Sequence, residues 1–252
     1  MTTMHAIRHK EILPATWSAE IDAAARAHAL EAYPAEAAGI VESGHYVRLE
    51  NRSIDPKADV WLSDDDLLRV ANADVFFHSH PDGIGGPSAQ DMIYQMQLGI
   101  PFVILVVPFI DLFAFGDQLP RAPLIGRGFR HGVHDCYSLI RDWYAEQGVD
   151  LVEGPRDWEW WLKGQDLYLE NFERAGFKAI PPSESTRAGD VLLFKFNHKV
   201  PMHGGLAQDG GLILHHPAGI AAVDPTRLST LVPRTRYAHH ISFALRHSHY
   251  AS

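Results

Sequence analysis

Two sets of residues in this chain have types and spacings that can do chemistry, and the chemistries differ. His78 and His80 are two apart and are followed by Asp91, while the chain's one cysteine, Cys136, is followed by His203 and His215. On a strand, residues i and i+2 share a face, so both imidazoles of the first set present to one point. An aspartate in the first turn of the next helix can reach the same point. Two imidazoles and a carboxylate leave a fourth tetrahedral position open for water, which is how a catalytic zinc is held. Zinc lowers the pKa of such a water to about 7, and a carboxylate nearby must take its proton. Glu36, just before a strand able to run beside the histidine strand, is the candidate. A reading without metal also fits, because Ser88 and Asp91 spell a helix capping box, S-x-x-D.

The second set reads as a thiol hydrolase. Cys136 falls in the first turn of an expected helix, where unpaired amides and the helix dipole favour a thiolate. On that basis it is expected to alkylate well below the free-cysteine pKa of about 8.5. A thiolate nucleophile needs a base and a group that orients the base. His203 starts one expected strand and His215 ends the next, so a hairpin can set the two rings side by side; His216 points to the opposite strand face. The alternative is a buried cysteine serving only as a small hydrophobe.

The elements that must position these residues follow from periodicity and punctuation. Helices are expected over 18–33, over 64–71 with Ser63 as cap, and over 88–98 closing at Gly99. Strands are expected over 39–42 and 46–50 as a hairpin around Ser43-Gly44, then over 74–80, 102–107 and 112–115. This mixed α/β pattern fills 1–117. Residues 118–132, with two prolines and three glycines, read as a linker. Helices over 135–147 and 165–175 then precede strands over 191–196, 204–208, 211–215 and 240–245, an α+β domain spanning 133–252.

Composition narrows the partners. At 46% hydrophobic and 21% charged, the chain is that of an ordinary globular protein. A net charge of −9 argues against nucleic acid or an anionic membrane surface as main partner. The longest apolar run, 102–107, is too short to insert in a bilayer. Residues 1–20 lack the apolar core of a signal peptide. With one cysteine there is no internal disulfide, so any thiol chemistry rests on that thiol.

The motifs resemble known families. Glu36, His78-Ser79-His80-Pro81 and Pro87-Ser88-Ala89-Gln90-Asp91, with ten residues between His80 and Asp91, resemble the JAMM motif of MPN (JAB) metallopeptidases. That resemblance implies an MPN domain with Zn2+ on His78, His80 and Asp91, Glu36 as general base, and Ser88 as a hydroxyl stabilising the tetrahedral intermediate. Asp135-Cys136, Arg187-Ala188-Gly189-Asp190 and His203-Gly204-Gly205-Leu206 resemble the papain-like NlpC/P60 cysteine peptidases, with Gly204 in place of the usual valine and Tyr137-Ser138 in place of Ser-Gly. By that resemblance Cys136 is nucleophile, His203 base and His215 the orienting residue. Leu124-Ile125-Gly126-Arg127, His131-Gly132-Val133, Leu139-Ile140-Arg141-Asp142, Trp160-Trp161 and Asn171-Phe172 further resemble the tail assembly protein K family of lambda-like phages, which joins the two domains in this order.

The resemblance implies a tail-tip component of a phage virion, made in the bacterial cytoplasm and acting at the host cell wall. Its C-terminal half would cleave amide bonds in peptidoglycan stem peptides, and its N-terminal half would be a zinc peptidase or isopeptidase. Tail-tip and hub proteins are the implied partners. The alternative is a structural docking module for the tail hub, and a third reading is a cellular wall-remodelling or deubiquitinase-like enzyme.

Overall fold

A computed structural model describes residues 12–250, which form two compact units divided between Arg121 and Ala122. In the first unit, α1 (Ala19–Ala32) begins at Ser18, whose hydroxyl accepts from the Ile21 amide. Ile21, Ala25 and Ala29 recur at helical spacing and form the helix's buried stripe. β1 (Ala38–Glu42) and β2 (His45–Leu49) form the expected hairpin. Its two turn residues, Ser43 and Gly44, both take the left-handed conformation such a turn requires. There follow α2 (Asp64–Val70), β3 (Val75–Pro81), α3 (Ala89–Leu98), β4 (Phe102–Val107) and β5 (Asp111–Phe115).

The five strands are ordered β2-β1-β3-β4-β5, with β3 and β4 parallel and the other pairs antiparallel. A parallel neighbour needs a crossover, and α3 supplies it. Strand alternation then sorts the side chains. Val75 and Phe77 join Val103, Leu105 and Val107 in the core under α1. Phe76, His78 and His80 project from the other face, where Phe76 and Phe102 pack edge to face at 4.9 Å. Ser79, between the histidines, is buried; its hydroxyl accepts from the Ala37 amide at 2.9 Å, and its own amide donates to the Ala37 carbonyl at 3.0 Å. These bonds extend the β1–β3 register and bring Glu36 to the histidine end of β3.

The second unit contains β6 (Gly128–Arg130), α4 (Cys136–Glu146), α5 (Leu167–Asn171), β7 (Phe177–Ala179), β8 (Val191–Phe194), β9 (His203–Gln208), β10 (Leu212–His215), β11 (Val223–Leu228), β12 (Thr230–Pro233) and β13 (Ile241–His247). Six strands make an antiparallel sheet ordered β12-β10-β9-β8-β13-β7, and β6 pairs with β11 alone. Leu139, Ile140 and Tyr144 of α4 pack with Val191, Leu193, Leu206 and Leu245 on one sheet face. Leu192, Phe194, Ala207 and Ile213 form the core on the other.

The segment expected as a linker, 118–132, differs. From Ala122 onward it belongs to the second unit, with Phe129 buried, β6 paired to β11, and Gly128 so close to Pro225 that a Cβ would stand 3.0 Å from its Cα. Its glycines mark tight turns: Gly126 and Gly132 both have positive φ. The helix expected over 165–175 is also shorter, because only Leu167–Asn171 is α-helical before turns lead to Gly176 and β7. Among the described residues, no helix is long and apolar enough to cross a membrane.

Phe77 is fully buried between Trp17, 5.9 Å away by ring centroids, and Tyr46 at 5.7 Å. Phe77→Ala is therefore expected to destabilise the first unit by about 3–5 kcal/mol. Urea titration reads this directly, and a loss under about 1 kcal/mol would contradict the packing described.

Candidate active sites

The first site stands on the sheet face opposite α1. Nε2 of His78 lies 3.1 Å from Oδ1 of Asp91, Nε2 of His80 lies 3.3 Å from Oδ2, and the two Nε2 atoms are 3.0 Å apart. Hydrogen bonding alone does not satisfy this triangle. If both Nε2 atoms carry protons for Asp91, those protons face each other; if one does not, a contact to the carboxylate sets acceptor against acceptor. A cation at the centre satisfies all three, and ligands about 2.0–2.1 Å from a tetrahedral zinc lie about 3.3 Å from one another. Asp91 is held ionised: burial opposes its charge, but the His78 charge and hydrogen bonds from both imidazoles outweigh it. Glu36 is buried, and that burial lifts its carboxyl to about 7, with His78 pulling the other way. A carboxyl near 7 can both take and return a proton at neutral pH.

The capping box is present as well. Oδ2 of Asp91 accepts from the Ser88 amide and hydroxyl, each at 2.7 Å, and Ser88 Oγ accepts from the Asp91 amide at 3.1 Å. The two readings of Ser88 and Asp91 are compatible. The box uses one carboxylate oxygen and aims the other at His78.

The second site opens on a cleft of about 570 Å³ whose lining includes Cys136, His203 and His215. Cys136 is the first residue of α4, and the whole helix start is organised by its N-cap, Asp135. That buried carboxylate accepts from the amides of Gly132, Tyr137 and Ser138 at 2.8, 3.0 and 2.9 Å. It also accepts from the Arg156 guanidinium at 2.8 and 3.1 Å. Burial alone would raise its pKa, but the Arg156 charge and these donors hold it well below the usual carboxylate range. Arg156 is itself buried and further fixed by Glu153 and the Gly154 carbonyl.

His203 and His215 are brought together as the hairpin spacing predicts: β9 and β10 pair antiparallel, and Nε2 of His203 lies 3.0 Å from Nδ1 of His215. Burial pushes His203 down to about 3 and His215 down to about 4, so both rings are neutral near pH 7. His216 turns the other way and bonds the Arg227 carbonyl at 3.0 Å.

The thiol itself departs from expectation. Its partners are the Tyr168 hydroxyl at 3.3 Å and the Gly204 backbone, while His203 bonds His215. Burial, with the Asp135 charge beside it, raises the Cys136 thiol above the ordinary cysteine value in spite of those hydrogen bonds. The expected resting thiolate is therefore corrected: the helix N-terminus is already spent on a buried carboxylate, and no imidazolium stands by to stabilise a second anion. Sequence reasoning also missed Arg156, Glu153 and Tyr168, all far from the cysteine along the chain. Only the adjacency of Glu153-Gly154-Pro155-Arg156 to an aromatic run offered a signal.

The pH profile of alkylation by iodoacetamide follows from this. Its midpoint is expected above about 8.5, with no thiolate plateau between pH 5 and 7. A plateau in that acid range would mean a thiolate–imidazolium pair and contradict the neutral site.

The NlpC/P60 family model matches residues 114–241. Tail tip assembly protein K of Escherichia phage lambda is 39% identical over 139 residues, covering 55% of this chain and 67% of that protein. The protein of the same name from Escherichia phage N15 is 29% identical over 205 residues, covering 77% of this chain and 82% of its own. A solved NlpC/P60 family protein from Bacillus cereus aligns with 88% of this chain and 66% of its own at 15% identity and a TM-score of 0.32, too loose a likeness to carry an argument. On the span of the family match and the identity to the lambda protein, the chain belongs to the NlpC/P60 family and to the family of tail tip assembly protein K.

Proposed function

We propose that the chain is a phage tail-tip component carrying two hydrolases, with the C-terminal unit cleaving amide bonds in peptidoglycan stem peptides. The observation that carries this reading is a nucleophile at a helix start and a hydrogen-bonded His203–His215 pair opening on one cleft. With Nε2 of His203 engaged by His215, Nδ1 is left to take the thiol proton. A neutral imidazole can accept that proton, so the thiol is deprotonated as it attacks and not before. His215 fixes the ring's orientation, which is the third member's task in such a triad. The aromatic side chains of Tyr137, Trp158, Trp160 and Trp161 line the cleft and suit an extended peptide lying across the thiol.

For the N-terminal unit we infer a zinc peptidase or isopeptidase of the MPN (JAB) type. His78, His80 and Asp91 would hold the metal, and their mutual distances support that fit. Zinc bound there would supply a Lewis acid and a water of lowered pKa. Glu36, with its carboxyl lifted to about 7, would hold the proton taken from the attacking water and pass it to the leaving amine. The Ser88 hydroxyl now donates to Asp91. To meet the tetrahedral oxygen it would have to rotate away.

The names of the two phage relatives describe tail tip assembly, and a tail location with tail-tip proteins as partners is carried over from them here; a tail-hub partner rests on the family resemblance alone. A purely structural role at the tip is the competing reading.

Muropeptides incubated with the full chain and analysed by mass spectrometry separate these readings. Cleavage is expected from the native protein and none from Cys136→Ala, with zinc at about one per chain in both. His78→Ala or Asp91→Ala should lose the zinc and keep the wall-peptide cleavage, because the two residue sets share no member. Absence of metal after reconstitution with zinc would remove the metallopeptidase reading. Equal product from Cys136→Ala would remove the thiol mechanism, and no product from the native chain would favour the structural role.

A further inference from the structure

Tyr168 is the second residue of the short helix α5, thirty-two positions beyond Cys136, and its hydroxyl lies 3.3 Å from the sulfur. Its ring is held edge to face against Trp160 at 6.0 Å and near Tyr137 at 6.4 Å. Space for the hydroxyl comes from Gly204. A Cβ there would stand 3.0 Å from the Tyr168 oxygen and 2.8 Å from Cδ1 of Ile140, tighter than real Cβ contacts allow without a shift. The glycine that replaces the family's usual valine beside His203 is thus matched to a tyrosine reaching in from another element. The backbone N–H of Cys136 has no intrahelical acceptor, because it belongs to the first turn of α4. The Asp135 carboxylate takes the amides of Tyr137 and Ser138 and leaves this one. The Tyr168 hydroxyl and the Gly204 backbone thus contact the sulfur, and the Cys136 amide is a further donor left unengaged by Asp135.

We propose that Tyr168 is a catalytic residue of the thiol site, its hydroxyl holding the thiol at rest and donating to the oxyanion when the scissile carbonyl carbon bonds to sulfur. This rests on the thiol-hydrolase reading above. As the C–S bond forms, the thiol proton passes to His203 and the carbonyl π pair becomes a lone pair on oxygen. Tyr168 and the Cys136 amide then donate hydrogen bonds to that oxygen. Tyr168 keeps its proton throughout, since burial holds its phenol well above the usual value. Collapse restores the carbonyl, breaks the C–N bond, and the leaving amine takes the proton from His203. Water then attacks the thioester by the same path, its proton going to His203 and onward to the departing thiolate, so that acid and free thiol are released.

The test is steady-state cleavage of a purified stem peptide by the full chain, its Tyr168→Phe variant, and its Gly204→Ala variant, which displaces the hydroxyl without removing it. Loss of one oxyanion donor costs about 100- to 1,000-fold in kcat. Tyr168→Phe is expected to fall in that range with KM unchanged, while Cys136 still alkylates, showing an intact and accessible thiol. Gly204→Ala is expected to lose kcat in the same way. Unchanged kcat in either variant, or a rise in KM alone, would overturn the proposal. Failure of the native chain to cleave, or full cleavage by Cys136→Ala, would instead bring down the thiol-hydrolase reading and this one with it.

Discussion

The second unit's chemistry depends on one buried carboxylate, Asp135. An isolated carboxylate out of water is costly, and it is tolerated here because a guanidinium and three backbone amides surround it. Those same contacts set the geometry around the sulfur. The amides of Tyr137 and Ser138 fix where α4 starts, and hence where Cys136 stands. Arg156 ties the segment that leads into Trp158 and Trp160 to the same point, and its guanidinium lies 5.1 Å from the Tyr137 ring centroid. Removing Arg156 would leave the charge buried and unpaired. Cys136, the start of α4 and one cleft wall all take their position from this group.

The same solution recurs in the first unit with different parts. There too a helix opens with a reciprocal box, Ser88 and Asp91, as α4 opens with Asp135 and Ser138. In α3 the group that meets the histidines is Asp91, the third helical residue, while in α4 the thiol belongs to the residue just after the cap. Helix starts suit this use because their backbone amides are fixed by the helix and unpaired within it. The strand contribution is likewise parallel: His78 and His80 share a face by alternation, and His203 and His215 share one through antiparallel pairing.

Much of this was legible in the chain. The strand carrying His78 and His80, the cap at Ser88, the start of α4 at Cys136 and the meeting of His203 with His215 all follow from local period and hairpin spacing. What was not legible depends on contacts distant in sequence. β11 contains Pro225, has no alternation of burial and exists only as a partner for β6, so nothing local announces it. The glycines of 118–132 look the same whether they mark a tether or tight turns inside a packed unit. The state of the thiol is not legible either, because in sequence a helix terminus reads as a free positive end. Asp135 had already taken that field, and burial acts on the sulfur besides. Tyr168 carries no motif at all; only the fold sets it beside the cysteine.

The division of labour within Asp91 limits what can replace it. One oxygen faces His78, while the other accepts from the Ser88 amide and hydroxyl and lies against His80. Asparagine matches the shape but offers a single acceptor, and its NH₂ would have to face either an imidazole or the donors that start the helix. Glutamate can still close a capping box with Ser88, but it carries both oxygens one methylene farther and so changes their distances to His78 and His80. An alanine would spare the sheet but free the first turn of α3. At this position, helix initiation and the histidine cluster impose one requirement, so a drift in sequence that was neutral for either task alone would still be blocked by the other.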